Sequence, residues 1–248
     1  MNENTIPKLE QDDHVDLASI RRAGLEERLR KLHGEKDAAA LLRSMIKEEF
    51  PGKIAAVCSF GAESAVLLSL IAEVSKEIPI IFLETGKHFR ETLEYRDHLA
   101  SHLGLTNVRS VKPSTAEIID DDPEGKLWRI NADYCCHIRK VVPLERSIDP
   151  FDAWITGRKR FQSKSRGQLQ SIELVGKHIK INPLANWDTV QLKEYFIARN
   201  LPRHPLTLKN YFSIGCAPCT KPVEVGGEQR SGRWADSGKT ECGIHRAT

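Results

Sequence analysis

The chain has 248 residues, of which 40% are hydrophobic and 29% are charged; these values are typical of a folded globular protein and exclude a collagen, a coiled-coil rod and a chain disordered throughout. Lys and Arg together number 37 against 34 Asp and Glu, which leaves a formal net charge of +3. A charge so close to neutral gives little reason to expect bulk affinity for nucleic acid.

Membrane and secretion segments are not evident in the sequence. No stretch approaches the roughly 18 to 20 unbroken apolar residues of a membrane helix, and residues 1–16 are polar and mixed in charge. We therefore expect a cytoplasmic protein with no membrane partner. The six cysteines are too unevenly spaced for a secreted disulfide scaffold, and a reducing compartment would keep them as thiols for ligation or catalysis.

Hydrophobic spacing predicts the secondary structure. Residues 16–50 have the three- to four-residue spacing of two helices that are split near Gly34. Four short apolar runs then predict strands, at residues 53–59, 78–83, 107–111 and 153–156. Helical patterns follow the first two strands, and a hairpin over 171–182, a helix over 189–199 and a loop-rich segment from about residue 202 complete the chain.

Strands that alternate with helices predict an α/β fold, with a parallel sheet and helices on both faces. Such sheets bind their ligands beyond the carboxyl ends of the strands. We expect the loops 59–64, 84–86 and 157–167 to converge there and to carry the chemistry.

Four cysteines form the strongest chemical signal. Cys135 and Cys136 are adjacent, and Cys216 and Cys219 form a second pair. Four thiolates from two distant segments match the ligand count of an iron–sulfur cluster or of a tetrahedral zinc site. Adjacent cysteines favour the cluster, because their side chains diverge and could reach different iron atoms. A purely structural metal site and four unrelated buried thiols are the alternatives.

The two remaining cysteines are interpreted differently. Cys242 lies near the C-terminus with His245 close behind it, and an exposed thiol on a mobile tail beside a histidine is typical of a nucleophile. A stray surface cysteine is the alternative reading. Cys58 falls within a predicted strand and is interpreted as a small core residue.

Two loops and three basic clusters suggest a small anionic ligand. The loop 59–64 joins a strand to a helix, where backbone N–H groups can bind phosphate or sulfate, although an ordinary serine-capped turn has the same pattern. The loop 84–86 could bind ribose or base, or could merely turn the chain. Basic residues concentrate in three places: Arg139 and Lys140; Arg158, Lys159, Arg160, Lys164 and Arg166; Arg230 and Arg233. Arginine forms forked contacts with phosphate-like oxygens.

Taken together, these residues resemble the assimilatory adenylyl-sulfate (APS) reductases, a branch of the phosphoadenylyl-sulfate reductase family in the PP-loop nucleotide-binding superfamily. The resemblance runs from about residue 59 to 245. Its motifs are LETGKHFRET (83–92), CCHIRK (135–140), WITG (154–157), QS (162–163), NPL (182–184), YFSIGCAPCT (211–220), RSGRW (230–234) and ECGIH (241–245). It implies a Rossmann-like, adenine nucleotide alpha hydrolase-like (PP-loop) sheet with a loop-rich C-terminal tail.

The resemblance also implies site residues. Cys135, Cys136, Cys216 and Cys219 would bind a four-iron, four-sulfur (4Fe-4S) cluster. Cys242, with His245 beside the anion, would attack the sulfur of APS, so that AMP leaves and an S-sulfocysteine forms; thioredoxin or glutaredoxin would then release sulfite. Matching positions assign substrate binding to Ser59, Phe60, Gly61, Glu63, Ser64, Glu84, Thr85, Gly86, Lys140, Arg160, Arg166, Arg230 and Arg233.

On this interpretation the chain has three parts: an N-terminal helical segment (1–50), a sulfonucleotide-binding α/β domain with the cluster (51–225) and a mobile tail with the catalytic cysteine (226–248). A homo-oligomer is expected. Phe60 and Glu63 depart from the Ser-Gly-Gly-x-Asp-Ser loop of related ATP-cleaving enzymes, which weakens an ATP-cleaving reading.

Three alternatives remain open. The chain could reduce the 3′-phosphorylated substrate (PAPS) or both sulfonucleotides. It could be a PP-loop enzyme that uses ATP to transfer sulfur to RNA, or a metal-stabilised module that binds nucleic acid. The low net charge and the 6% content of aromatic residues argue against the last of these, since single-strand binders stack bases on aromatic rings.

Overall fold

The computed structural model describes residues 16–224, 226–235, 239 and 241–245. The described chain begins with two helices, α1 (Leu17–His33) and α2 (Ala38–Arg43). Helix α2 continues as a π-helical turn at Ser44–Glu49. They confirm the two helices predicted within residues 16–50. Residues 1–15 of the predicted N-terminal segment lie outside the described residues, as do several positions of the predicted tail.

The residue that precedes each of these two helices caps its N-terminus. Asp16 precedes α1 and accepts a hydrogen bond from the Ala18 N–H at 3.0 Å, and Asp37 precedes α2 and accepts one from the Ala40 N–H at 2.8 Å. Each carboxylate satisfies a backbone donor that has no partner within the helix.

The strands lie within about two residues of their predicted positions. They are β1 (Ile54–Val57), β2 (Ile80–Leu83), β3 (Val108–Val111), β4 (Ala153–Ile155), β5 (Ile172–Val175) and β6 (His178–Ile181). The remaining helices are α3 (Ser64–Val74), α4 (Arg90–Leu103), α5 (Thr115–Asp121), α6 (Leu127–Ile130), α7 (Ala132–Cys136), α8 (Val142–Ile148) and α9 (Thr189–Ala198). The sequence pattern does not predict α5 to α8, because helices of four to seven residues are too short to show a period.

The described strands form one six-stranded sheet in the order β3-β2-β1-β4-β6-β5. Its neighbours are parallel except for β5 and β6, which pair antiparallel through the predicted hairpin. Gly176 has a φ of 57° in the turn of that hairpin, a left-handed conformation that glycine adopts without steric cost. The predicted parallel α/β sheet is therefore confirmed.

Alternate residues of the central strands pack on opposite faces of the sheet. In β4, Ala153 and Ile155 join a large core that includes residues of α1, α2, α3, α4 and α9, whereas Trp154 joins a smaller core with residues of α8 and with Ile244. This alternation follows from the two-residue period of a strand. Both faces are covered, and the loops at the strand ends are left to form a site.

A π-helical turn at His137–Val141 joins α7 to α8. It follows Cys135 and Cys136 directly and carries Lys140. Single π-turns inside helices are often found at functional sites, because they change the direction in which side chains project. As to membranes, the described helices include none that is long and apolar enough to span a bilayer.

The central position of β4 gives a test of the fold. Ile155 is 0% exposed in the larger core, so the Ile155→Ala variant should lose about 2–5 kcal/mol of unfolding free energy, because it loses buried contacts and leaves a cavity. Chemical denaturation would measure the loss. The matched control is Ile197→Ala on α9, where 66% of the residue is exposed and the change should stay within about 0.5 kcal/mol. Equal losses in both variants would contradict this arrangement of the core.

Candidate functional site

A cleft lies at the carboxyl ends of β1, β2 and β4. Its empty space is about 1220 Å³, a volume that includes open solvent at its mouth. Among the described residues, its walls come from the loop after β1, the end of β2, the loop after β4, residues 212–215, residues 229–234 and residues 241–245. The loops 59–64 and 157–167 converge here as predicted, whereas the loop 84–86 lies outside the lining.

The loop after β1 provides one wall. Ser59, Gly61, Glu63 and Ser64 line the cleft, and α3 begins in the same loop. The first N–H groups of a helix have no intrahelical partner and carry its positive dipole end, so this wall favours an anion. Phe60 has a φ of 49°, and its buried ring packs edge-on against Phe82 with centroids 5.6 Å apart.

Four other residues that were predicted to bind substrate do not line the cleft. The carboxylate of Glu84 lies 3.9 Å from Lys112, the Thr85 hydroxyl lies 3.3 Å from the sulfur of Cys216, and Arg160 donates to the Leu169 carbonyl at 2.7 Å. The fourth, Gly86, has a positive φ. Together with Phe60, their assignment to substrate stays a prediction.

The loop after β4 is fixed by buried ion pairs. Lys159 is 2% exposed, and its ammonium group lies 2.9 Å from the Glu63 carboxylate and donates to the Gly157 carbonyl at 2.8 Å. Gln162 donates to the same carboxylate at 2.8 Å. These contacts join the loops that follow β1 and β4 across the floor of the cleft.

Lys140 and Arg233 are two cations that line the cleft near Cys242. Burial opposes the charge of Lys140, but the sulfurs of Cys216, Cys242 and Cys136 raise its pKa above the usual range. The Arg233 guanidinium packs against Gly215, where a β-carbon would approach within 2.3 Å of a guanidinium nitrogen. A side chain at position 215 would therefore displace the Arg233 guanidinium from its place in the cleft.

Residues 241–245, called the tail segment below, close one side of the cleft. Glu241 forms ion pairs with Arg166 and Arg230, and Ile244 packs against the smaller core. Nearby, Lys239 lies 2.5 Å from Asp133. The predicted basic residues Arg166 and Arg230 thus line the cleft while they bind a carboxylate of the chain itself.

Cys242 corrects one expectation. The sequence analysis places its thiol exposed on a tail, but the residue is only 9% exposed in the described conformation, because the tail segment packs into the cleft. A hydrogen bond with the Cys136 thiol lowers the pKa of Cys242 well below its usual value, and Lys140, the Ile244 N–H and Arg233 lower it further against the effect of burial. The thiolate is the reactive form of cysteine.

His245 also lines the cleft, at the end of the short helical turn Gly243–His245 that follows Cys242. Burial and then the charge of Lys180 lower its pKa well below the usual value, so the imidazole is neutral near pH 7. Its buried Nδ1 has no hydrogen-bond partner among the described residues. A neutral imidazole can accept or donate a hydrogen bond, which suits a group beside an anion.

The four cysteines predicted as ligands line one small cavity next to the cleft, together with Lys87, Trp128, Ala132, Arg139, Lys140 and Trp234. All six cysteines of the chain are free thiols, and burial raises the pKa of Cys135 to about 11. A set of four sulfur donors suits an iron–sulfur cluster or zinc. Within the described part of the chain, no three potential metal ligands converge closely enough to hold a single ion.

Some residues of the cleft were missed by the sequence analysis. Residues 212–215 line it directly before Cys216, and their motif was interpreted only for its cysteines. Leu83 and Thr156 line it at the ends of β2 and β4, where the general rule for parallel sheets could have found them.

Lys180 is a buried lysine on β6 whose charge acts on His245, and it was likewise missed. It is 1% exposed on β6 in register with Trp154, and its ammonium group lies 4.4 Å from the centre of that ring. Such cation–π contacts are favourable. Burial, Arg158 and Arg166 nevertheless lower the pKa of Lys180 to about 7.

Comparison with protein families matches residues 53–222 to the phosphoadenosine phosphosulfate reductase domain. Among similar proteins, the adenosine 5′-phosphosulfate reductase of Mesorhizobium japonicum is 49% identical over 94% of this chain and 92% of that protein. The phosphoadenosine 5′-phosphosulfate reductase of Gloeobacter violaceus is 40% identical over 79% of this chain and 83% of its own length.

The chain is also similar to proteins of known structure. A phosphoadenylyl-sulfate reductase from Candida auris, crystallised as a phosphate complex, has a TM-score of 0.66 and 29% identity, over 80% of this chain and 96% of that one. An FMN adenylyltransferase from Candida glabrata has a TM-score of 0.54 at 14% identity, over 84% of this chain and 75% of that one, and shows similarity of fold alone.

The depressed pKa of Lys180 predicts a pH-dependent stability. Between pH 7 and the usual lysine pKa of 10.5 the unfolded chain binds more protons than the folded chain, so the unfolding free energy should rise with pH, by up to about 1.4 kcal/mol per unit. Relative to this parent, Lys180→Met should be more stable at pH 7, and the difference should shrink towards pH 10.

Urea denaturation at several pH values would measure this difference. Lys177→Met, at an exposed position of the same hairpin, is the control for the loss of a lysine and should keep the parent's pH dependence. If the difference in unfolding free energy between Lys180→Met and the parent stays constant from pH 7 to 10, then the pKa of Lys180 is not lowered and the prediction is wrong.

Proposed function

Because the chain belongs to the phosphoadenosine phosphosulfate reductase domain family, we propose that it reduces APS to sulfite and AMP in assimilatory sulfate reduction, with Cys242 as the nucleophile. The observation that carries this proposal is the position of Cys242, which lines the cleft at the strand ends together with Lys140 and Arg233. This arrangement brings a thiol to a site lined by two cations, where positive charge favours both the thiolate and a bound anion.

The walls of the cleft suit the anionic phosphosulfate group of a sulfonucleotide. The loop after β1 and the start of α3 offer N–H groups to the phosphate end of the nucleotide. Lys140 and Arg233 face the region of Cys242 and would bind the phosphosulfate, where Arg gives forked contacts and Lys a point charge. Arg166 and Arg230 line the same wall but bind Glu241.

In the first step, the Cys242 thiolate attacks the sulfur of APS. An S–S bond forms, the bond between that sulfur and the phosphate oxygen breaks, and AMP leaves with the electron pair. Both partners are negative, so the barrier depends on nearby positive charge, which Lys140 and Arg233 supply without reorganisation. His245 lies on the same wall as a neutral imidazole that can hydrogen-bond to the oxygens of the sulfonate.

In the second step, a dithiol protein such as thioredoxin or glutaredoxin completes the reduction. Its thiolate attacks the sulfur of Cys242, sulfite leaves with the electron pair of the S–S bond, and a mixed disulfide forms. The second thiol of the partner resolves this disulfide and restores Cys242, so the partner supplies both electrons. Because Cys242 is buried in the described conformation, the tail segment must leave the cleft to meet this partner.

We propose that Cys135, Cys136, Cys216 and Cys219 bind a 4Fe-4S cluster. They line one cavity from two distant segments, and an all-sulfur donor set fits this group. When bound, the cluster would supply a local field next to the site. Thr85, whose hydroxyl lies 3.3 Å from the Cys216 sulfur, and Lys140 would be its polar neighbours.

Reduction of PAPS is the second candidate, because a relative at 40% identity carries that name. Competition between APS and PAPS in one assay would measure the preference directly. The division of the chain at residues 50 and 225, the cytoplasmic location and a homo-oligomeric state belong to the same proposal.

Replacement of the nucleophile tests the reaction. Cys242→Ser should abolish release of sulfite from APS in an anaerobic assay with thioredoxin, because a serine hydroxyl is not ionised near pH 7, and it should keep the brown colour of the cluster. In the parent, mass spectrometry before reductant is added should find one sulfonate group on the tail peptide. Sulfite release by Cys242→Ser without added ATP would refute the assigned nucleophile, and turnover that requires ATP would favour the RNA-modifying alternative.

Replacement of a ligand tests the cluster. Cys135→Ser should lose iron, visible colour and activity, because a hydroxyl is a poor ligand for iron in a cluster. Iron analysis and absorption spectra of anaerobically purified protein would show this. Cys58→Ala is the matched control for iron content, since Cys58 lies outside the cavity of the four cysteines. A Cys135→Ser protein that is colourless yet fully active would exclude the cluster from the site.

A further inference from the structure

We propose that Glu241 is a positioning residue, which holds the tail segment in the cleft through Arg166 and Arg230, so that these two arginines bind the nucleophile segment while Lys140 and Arg233 bind the anion of the substrate. This inference rests on the proposed function and divides the basic residues of the cleft into two groups. All four were expected from the sequence to bind the substrate.

The contact between Glu241 and Arg166 has the geometry of a strong ion pair. Nε of Arg166 donates to Oε1 of Glu241 at 2.5 Å, and Nη2 donates to Oε2 at 2.9 Å. The side chains are 8% and 14% exposed. A two-point contact between a guanidinium and a carboxylate defines the orientation of both groups. It joins positions that are 75 residues apart in the chain.

Arg166 makes a third side-chain contact beside Glu241. Its Nη1 donates to the side chain of Gln162, which in turn donates to Glu63 at 2.8 Å. Arg230 contributes a second cation to Glu241, with Nη2 to Oε2 at 3.3 Å. The tail segment is therefore connected through side chains to the loops after β4 and β1.

The ionisation of Glu241 agrees with this role. Burial opposes its charge, but Arg166, by hydrogen bonds and charge, and Arg230, by charge, lower the pKa of Glu241 below the usual value. The carboxylate is thus negative throughout the neutral range. A buried carboxylate that lost these partners would leave uncompensated charges on both sides.

Lys140 and Arg233 differ from the first pair. Neither forms an ion pair with a carboxylate among the described residues, and both line the cleft together with Cys242. Arg233 instead packs over the Trp234 ring, with its guanidinium carbon 4.3 Å from the ring centre. Of the cations that line the described part of the cleft, these two can therefore receive a substrate anion beside the nucleophile.

Glu241 precedes Cys242 directly, so its contacts place the thiol within one peptide unit of a defined point. Attack on sulfur requires the thiolate to be held at a short distance and along one direction, and errors of about 1 Å can cost about a hundredfold in rate. Loss of the Glu241 contacts should therefore slow sulfonation of Cys242 with little effect on the affinity for the nucleotide.

A role of Glu241 as a competitor of the substrate predicts a different effect on kcat and KM. If Glu241 only occupied the substrate's place on Arg166 and Arg230, then removal of its charge would free these arginines. The KM for APS would fall and kcat would not. The split between kcat and KM therefore distinguishes positioning from competition.

The experiment uses the anaerobically purified full chain with its cluster, and steady-state assays with APS and thioredoxin. Glu241→Gln should lower kcat by about 10- to 100-fold with KM changed by less than about twofold, and Glu241→Asp should recover part of kcat because it keeps the charge. Arg166→Gln should resemble Glu241→Gln, and the double variant should be little worse than either single variant, because both break one contact. Arg233→Gln should instead raise KM, and its effect should add to that of Glu241→Gln.

A second readout does not depend on activity. Hydrogen–deuterium exchange of the peptide that contains residues 241–245, in the absence of substrate, should be about tenfold faster in Glu241→Gln than in the parent. Glu94→Gln, which removes an exposed carboxylate paired with Arg90 on α4, is the matched control and should exchange like the parent. This readout would support or reject the contact even if APS proved not to be the substrate.

Three results would overturn the proposal. The first is a fall in KM with unchanged kcat in Glu241→Gln. The second is a more than tenfold rise in KM for Arg166→Gln in the Glu241→Gln background, which would make Arg166 a direct ligand of the substrate. The third is exchange of the tail peptide that is the same in Glu241→Gln and the parent.

Discussion

Cys242 is surrounded by positive charge in a place from which most water is excluded, and the organisation of the site depends on this electrostatic relation. A hydrogen bond with the Cys136 thiol lowers the pKa of Cys242, and Lys140 and Arg233 lower it further against the effect of burial. Burial opposes the charge of Lys140, but the sulfurs of Cys216, Cys242 and Cys136 raise its pKa. Charges of opposite sign interact strongly when little solvent lies between them. The cations therefore favour the reactive form of the nucleophile, and they can also bind the anion that it attacks.

The fold brings these groups together from positions far apart in the chain. Lys140 lies on the π-helical turn between α7 and α8, Arg233 follows the cysteine pair at Cys216 and Cys219, and Cys242 comes last. The sheet presents the ends of β1, β2 and β4 at one edge, and the three segments gather over that edge. Because the cavity of four cysteines adjoins the cleft and shares Lys140 and Trp234 with it, a group bound there would affect the nucleophile through its charge.

Much of the fold could be predicted from hydrophobic period. The strands and the long helices α1, α4 and α9 have clear patterns, and the parallel sheet followed from their alternation with helices. The short helices α5 to α8 could not be predicted, because their conformation depends on packing and on capping contacts such as that of Asn131 with the Tyr134 N–H at 2.9 Å. Lys180 was missed for a similar reason, since nothing in the local pattern of β6 shows that its side chain is buried against the Trp154 ring.

The identities and spacing of the residues were enough to indicate the chemistry of the site: four cysteines as a ligand set, a fifth as nucleophile and loops rich in arginine. Each inference depends on what a side chain can do chemically, which is a local property. The pairing of Glu241 with Arg166, the burial of Cys242 and the placement of Phe60 against Phe82 instead required the folded chain. Which cation meets which anion depends on distances between segments that are remote in sequence, and these distances exist only after the loops have packed on the sheet.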